Sequence, residues 1–184
     1  DPAVGRRFDQ SRLLLDPYAR AVVTPKAYNR QSPAPIGQTE VNHSHCMKCV
    51  VVDPQAYNWN GDKHVHHPYS RSVIYEVHLK GFTRHPNSKI EKSLLGTYTG
   101  LVKKIPYLKK LGITAVELMP VIQFDPQDVG NGLPTNYWGY SPIAFFAPHN
   151  GYCYCHDHKV IADEFRNMVK ALHKANIEVI QDVV

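Results

Sequence analysis

The feature that most restricts the fold is an alternation of strand-like and helix-like segments that becomes regular from Ser72 onward. Residues 73–79 (VIYEVHL) are rich in β-branched and aromatic side chains and stop at Lys80-Gly81, which predicts a strand. Residues 97–111 predict a helix: Leu101, Ile105, Leu108 and Leu111 recur at helical spacing, and Gly112 stands where a left-handed cap is wanted. Pro106 falls inside this helix, where a proline costs about 3 kcal/mol, so the helix is expected to kink or to start late. Residues 113–119 (ITAVELM), stopped by Pro120, predict a second strand. A second helix follows over 163–175, with Phe165, Met168, Val169 and Leu172 on one face and Asn176 in the cap position. Residues 177–184 (IEVIQDVV) predict a third strand.

The two passages from helix end to strand repeat weakly, Gly112-Ile113-Thr114-Ala115-Val116-Glu117 aligning with Asn176-Ile177-Glu178-Val179-Ile180-Gln181. Nearly continuous apolar strands separated by helices imply an α/β fold, with a parallel sheet covered on both faces. That leaves a doubly wound sheet or a (β/α)₈ barrel. No G-x-G-x-x-G follows a strand and no P-loop pattern is present, which weighs against the nucleotide-binding sheet. Three strands cannot close a barrel, so the expectation is the first part of one, with further strands beyond Val184.

Residues 1–68 have a different texture, rich in Pro, Asn, His and Gln, with loops marked by Pro33, Pro35 and Gly37. Apolar residues make up 43% and charged residues 20% of the 184, as in a soluble globular protein. No run of about 18 apolar residues is present to cross a membrane as a helix. The net charge of +5 is spread over short clusters such as Lys103–Lys104 and Lys109–Lys110, which read as solvated helix faces rather than a nucleic-acid patch. Cys46 and Cys49 lie beside His43 and His45, and Cys153 and Cys155 precede His156 and His158. These are zinc-ligand types, but the second pair has one intervening residue and about 100 residues separate the pairs. Free thiols of a reducing compartment are the favoured reading, with no metal.

Function is expected on the long connection of residues 121–161, because such loops stand on the catalytic face of a barrel. It carries Asn136-Tyr137-Trp138-Gly139-Tyr140-Ser141-Pro142, then Phe145-Phe146, then His149-Asn150-Gly151-Tyr152. A pyranose offers an apolar face for stacking and a rim of hydroxyls, which suits aromatic rings set among Asn, His and Gly. Trp138 and Tyr140 are the candidate platforms; loop packing is the alternative for each ring, less so for Tyr140 with its hydroxyl. Asp182 lies near the carboxyl end of an otherwise apolar strand and is the third candidate. As either a substrate-binding or a structural carboxylate, it requires a cationic or hydrogen-bonding neighbour. Glu76 and His78, two apart, are expected to share one face of the first strand, as polar residues of a barrel interior.

The stretch from His67-Pro68-Tyr69-Ser70 through residues 73–83 (VIYEVHLKGFT) resembles the opening of the catalytic barrel in isoamylases and glycogen debranching enzymes of the α-amylase superfamily. Gly96-Thr97-Tyr98, residues 104–108 (KIPYL), 111–120 (LGITAVELMP), 136–142 (NYWGYSP) and Asp182-Val183-Val184 continue the resemblance in order. Arg7-Phe8-Asp9 and residues 13–20 (LLLDPYAR) resemble the tail of the family's N-terminal β-sandwich. This implies a sandwich tail plus linker over 1–68 and a barrel portion over 69–184. It also implies retaining hydrolysis of α-1,6 branch linkages in glycogen, amylopectin or limit dextrin, with no cofactor, nucleic acid or membrane involved, in the cytoplasm or a plastid stroma. Tyr140 matches the tyrosine that stacks on the sugar at the cleavage point, and Asp182 the first residue of the D-V-V-x-N-H segment. The family's nucleophile, general acid/base and second aspartate match positions beyond Val184. A branching or trehalose-releasing enzyme is the nearest alternative, a non-catalytic glucan-binding subunit the next, and a zinc-dependent nucleic-acid module the most distant. The general acid and nucleophile supply most of the rate in this chemistry. The 184-residue chain by itself should therefore release no reducing ends from glycogen above an unrelated-protein control.

Overall fold

A computed structural model describes residues 4–5, 14–31, 45–129, 132–155, 157 and 160–184. In chain order its elements are β1 (Val22–Val23), β2 (Lys48–Cys49), β3 (Ile74–Val77), α1 (Leu79–Arg84), α2 (Tyr98–Val102), α3 (Ile105–Leu111), β4 (Ala115–Leu118), β5 (Ile122–Phe124), β6 (Pro142–Pro148), α4 (Ile161–Lys174) and β7 (Glu178–Gln181). The expected parallel sheet is present, with strand order β3-β4-β7. Its register aligns Val77 with Leu118 and Leu118 with Gln181.

One sheet face packs on helices. Val77, Leu101, Leu108, Val116, Leu118, Met168, Leu172 and Ile177 form a single buried cluster, against which Tyr75, Phe165 and Val179 also pack. Each such side chain contributes roughly 1.5–3 kcal/mol through its removal from water, which is what draws α2, α3 and α4 onto the strands. The other face carries Glu76 and Glu117 side by side in register and is only partly buried. The expectation of cover on both faces is therefore met on one face only among the described residues.

The segment boundaries have local causes. The predicted helix over 97–111 divides into α2 and α3, with Pro106 in the first turn of α3, where its missing N–H would have had no helical partner anyway. Gly112 (φ 81°) and Asn176 (φ 62°) both adopt the left-handed conformation that ends their helices. The first predicted strand overruns the observed one by one residue at its start and two at its end. His78 is extended but caps α1, accepting the Gly81 N–H, so the chain turns into a helix where Lys80-Gly81 suggested a strand end. Glu76 and His78 consequently do not share a strand face as expected.

The connection of residues 121–161 is not all loop. Its β5 and β6 pair antiparallel with two register shifts, forming a hairpin where the sequence pattern suggested a long loop. Ala144 and Ala147 of β6 pack with Ala19, Val22 and Met47, which seats the N-terminal segment on the hairpin. The described residues before 69 otherwise contribute only the two-residue strands β1 and β2; Arg7, Phe8, Asp9 and Leu13 lie outside the described residues.

Glu164, in the first turn of α4, ties three segments together. Its Oε1 accepts Thr99 N–H and Oγ1–H at the start of α2, at 3.1 and 2.8 Å. Its Oε2 accepts the Cys153 thiol at 2.7 Å and the amides of Tyr154 and Cys155. Burial and this carboxylate push the Cys153 thiol well up, which keeps it a donor. Glu164→Gln would turn an NH₂ group toward one of these sets of donors. It should lower stability by about 2 kcal/mol in urea denaturation, more than an exposed carboxylate change would.

Candidate functional site

Because Val77, Leu118 and Gln181 lie in register, the residues that follow them leave the sheet at the same end. Those residues are His78, Met119 and Asp182. The pairing reaches one step further: Met119 N donates to Val77 O and Asp182 N to Leu118 O. Asp182 is thus held at the carboxyl end of the sheet by its own backbone.

Residues 136–142, between β5 and β6, cross this end. Asn136 shapes the turn, accepting Gly139 N–H on Oδ1 at 3.1 Å and donating from Nδ2 to Tyr140 O at 2.7 Å. Its backbone N–H donates to Pro126 O at 2.9 Å. Gly139 has φ 86°, and a Cβ there would meet the Phe124 ring at 2.9 Å and Pro120 O at 3.0 Å. Conformation and space both demand glycine at this position.

The turn delivers two tyrosines to the two ends of the ledge. Tyr137 stacks on His78, ring centroids 4.1 Å apart and planes at 10°. Tyr140 donates its phenol to Asp182 Oδ2 at 2.6 Å, a short bond of the charge-assisted kind. Tyr140 as a residue remains 37% exposed. The bond to Asp182, then the cost of desolvation and the charges of Asp182, Glu76 and Glu117, raise the Tyr140 pKa and keep it a donor. Trp138 is 54% exposed and stands edge-on to Tyr137 and His78.

Two of the three candidates, Tyr140 and Asp182, are therefore in direct contact, and the neighbour required by Asp182 is the phenol of Tyr140. Trp138 lies on the same turn but faces the His78 side. Phe145 and Phe146 belong to β6, where Phe146 stacks on Tyr18 at 5.7 Å. Asn150 is structural: its side chain donates to Val22 O and Thr24 Oγ1. His78 and Tyr137 were not singled out as a pair in the sequence. The available signal was the spacing His78-x-x-Gly81, which lets a side chain cap a helix at the point where a strand ends.

Behind the ledge, His149 is buried, stacked on Phe124 at 3.8 Å and met edge-on by Tyr152 at 4.6 Å. It borders a cavity of about 40 Å³ with Lys80, Tyr137 and Tyr152. Its Nδ1 is the buried side-chain nitrogen without a hydrogen-bond partner among the described residues. Cavities of about 290 and 300 Å³ lie against α4, and neither is lined by His78, Tyr140 or Asp182. The larger spaces are thus not where the candidate residues gather; the ledge is an open surface.

No group of three or more His, Cys, Asp or Glu among the described residues is arranged to hold a metal ion. His43, His156 and His158 lie outside the described residues. No disulfide joins the four cysteines. Among the described residues no helix is long and apolar enough to cross a membrane.

The family description "Alpha amylase, catalytic domain" matches residues 56–184. A glycogen debranching enzyme of Escherichia fergusonii is 45% identical over 190 residues, covering all of this chain and 28% of that protein. Isoamylase 1, chloroplastic, of Arabidopsis thaliana is 38% identical over 193 residues, covering all of this chain and 24% of that protein. The chain thus spans about a quarter of the length of these curated relatives. Among solved structures, the product complex of a multi-modular glycogen-degrading pneumococcal virulence factor is 26% identical with a TM-score of 0.73, covering 94% of this chain and 18% of that one.

His149 gives the neighbourhood of the site a pH dependence. Burial, with a smaller contribution from the charge of Lys80, pushes its pKa down from 6.5 to about 3. The unfolded chain takes up a proton below about pH 6.5 while the folded one does not until about pH 3, so stability drops as the pH is lowered, by up to about 1.4 kcal/mol per unit across that window. His149→Gln, which cannot titrate, should flatten this part of the stability profile measured by denaturant titration from about pH 7 to about pH 4.

Proposed function

We propose, from the premise that this chain belongs to the α-amylase family, that it is part of a debranching glycoside hydrolase cleaving α-1,6 linkages of an α-glucan with retention. The observation that carries this reading is the Tyr140–Asp182 pair. A partly exposed tyrosine, hydrogen-bonded to a carboxylate at 2.6 Å, stands at the carboxyl end of a parallel sheet. That end is where barrel enzymes of this kind bind substrate. Similarity to a glycogen debranching enzyme and to an isoamylase supports glycogen, amylopectin or limit dextrin as the substrate class.

In this reading Tyr140 stacks on the apolar face of a glucosyl ring. Asp182 accepts a hydrogen bond from a sugar hydroxyl with the oxygen that Tyr140 leaves unused, and Trp138 offers a second aromatic surface further along the ledge. The pair of carboxylates that flanks the scissile bond in retaining hydrolysis is supplied beyond Val184. We assign residues 69–184 to the catalytic barrel and residues 1–68 to the tail of an N-terminal β-sandwich and its linker. Support for this division comes from the start of the parallel sheet at Ile74, although the family match begins at residue 56. We place the protein in the cytoplasm, or in the plastid stroma if the source is a plant or alga, the latter case being supported by the chloroplastic relative.

In the full-length enzyme, Tyr140→Ala removes the stacking face and the Asp182 contact together. It should lower kcat/KM by about ten-fold or more, from a stacking contribution of roughly 0.5–1.5 kcal/mol plus about 1 kcal/mol for the hydrogen bond. Tyr140→Phe keeps the ring and should lose only about five-fold. With a ring so exposed, neither change should shift the melting temperature appreciably. Early melting with wild-type turnover in both variants would make Tyr140 a packing residue.

A further inference from the structure

Both ring nitrogens of His78 are committed. Nδ1 lies 2.9 Å from Gly81 N and Nε2 lies 2.7 Å from Tyr137 O. An amide N–H needs a lone pair and a carbonyl needs a proton, so the network assigns the neutral tautomer with its hydrogen on Nε2. Tyr137 covers one face of the imidazole, while Trp138 and Tyr152 meet it edge-on. Gly81 is shaped around the same tyrosine. Its backbone is not left-handed, yet a Cβ there would come within 2.5 Å of the Tyr137 hydroxyl. Two residues of one strand-to-helix turn are thus fitted to Tyr137, three positions before Tyr140.

We propose that His78 is a positioning residue: its Nε2–H grips Tyr137 and thereby fixes the 136–140 turn so that Tyr140 meets both Asp182 and the sugar. This rests on the reading of Tyr140 and Asp182 as sugar-binding residues. Only the neutral imidazole can make both bonds at once. A proton on Nδ1 would face the Gly81 N–H donor, undoing the helix cap and loosening the ring from Tyr137. The groups around the imidazole add to this. Lys80 on α1 is a like charge to an imidazolium, and Tyr137, Trp138 and Tyr152 from the other packed segments provide no anion. Burial, aided by Lys80, holds the His78 pKa below its ordinary value, against the opposing bond to Tyr137. The two-bond arrangement is therefore intact at neutral pH, and its Gly81 half is lost as pH falls below the usual histidine range.

Two variants of the full-length enzyme separate the two bonds. His78→Asn places an acceptor where Nδ1 stood, keeping the helix cap, but cannot reach Tyr137 O. His78→Gln can reach Tyr137 O with its amide NH₂ and cannot titrate. Maltotetraose affinity, measured by calorimetry from about pH 8 to about pH 5, should be about five-fold weaker in His78→Asn at neutral pH. In His78→Gln it should stay near the wild-type value at neutral pH and lose less in acid than the wild type does. Wild-type affinity in His78→Asn, or an acid loss in His78→Gln equal to that of the wild type, overturns the proposal. Should His78→Asn melt early, the acid profile of His78→Gln decides alone. Tyr140→Ala in the same assay separates the two levels of argument. If it binds maltotetraose as the wild type does, the sugar-site reading fails and the proposal with it. If it loses binding while His78→Asn does not, only the positioning role fails.

Discussion

The in-register parallel pairing of β3, β4 and β7 is the constraint on which the candidate site depends. Parallel strands bring their carboxyl ends to one side, and a register without offset makes the next residue of each strand emerge at a common level. Had β7 slipped by one residue, Asp182 would have turned to the opposite face of the sheet and left Tyr140 without its acceptor. Such a slip is opposed by Ile177, just before β7, and Val179 on it, which pack in the cluster of Val116, Leu118, Met168 and Leu172 and would be turned away from it. The core thus fixes the height and direction of a carboxylate that is itself outside the core.

The second requirement is a turn rigid enough to carry an exposed ring to that carboxylate. Asn136 closes the turn with two hydrogen bonds, and Gly139 lets it lie against Phe124 and the Pro120 carbonyl. The turn is anchored further back through Pro126 O, which accepts from both Thr135 Oγ1 and Asn136 N. Next to it sits Asp125, a carboxylate with only 7% of its side chain exposed. Such a buried charge needs partners, and it takes the Tyr28 hydroxyl, the Arg30 guanidinium and the Gln127 amide. Tyr28 and Arg30 come from the N-terminal segment. A region that contributes little regular structure therefore braces the base of the site-bearing turn.

Legibility in the sequence followed the physical range of each signal. The three parallel strands and their helices could be read because apolar periodicity and left-handed caps are local: Gly112 and Asn176 end their helices as expected. The β5–β6 hairpin was missed because its pairing bridges a long turn and shifts register twice, so no short turn signature announces it. His78 was misplaced for a related reason. Its β-rich neighbours on the amino side suggested a continuing strand, whereas its contacts with Gly81 and Tyr137 decide otherwise, and Tyr137 is 59 residues away. Tyr140 and Asp182 stood out individually by residue type and position. Their mutual bond spans 42 residues and became visible only through the register.

The division of work between the two tyrosines of the turn follows from their surroundings. Tyr137 is pinned on one face by an imidazole and approached by Trp138, so its conformation is settled before any ligand arrives. Tyr140 has one polar side-chain anchor and is partly exposed, an arrangement that leaves surface accessible while limiting rotation. Preorganisation of this kind spares a ligand the entropy of ordering the ring that receives it. An aromatic ring held only by packing would have to be buried to be equally rigid, and would then offer no face. The carboxylate of Asp182 resolves this conflict: one short hydrogen bond orients Tyr140 at the carboxyl end of the sheet while the residue stays partly exposed.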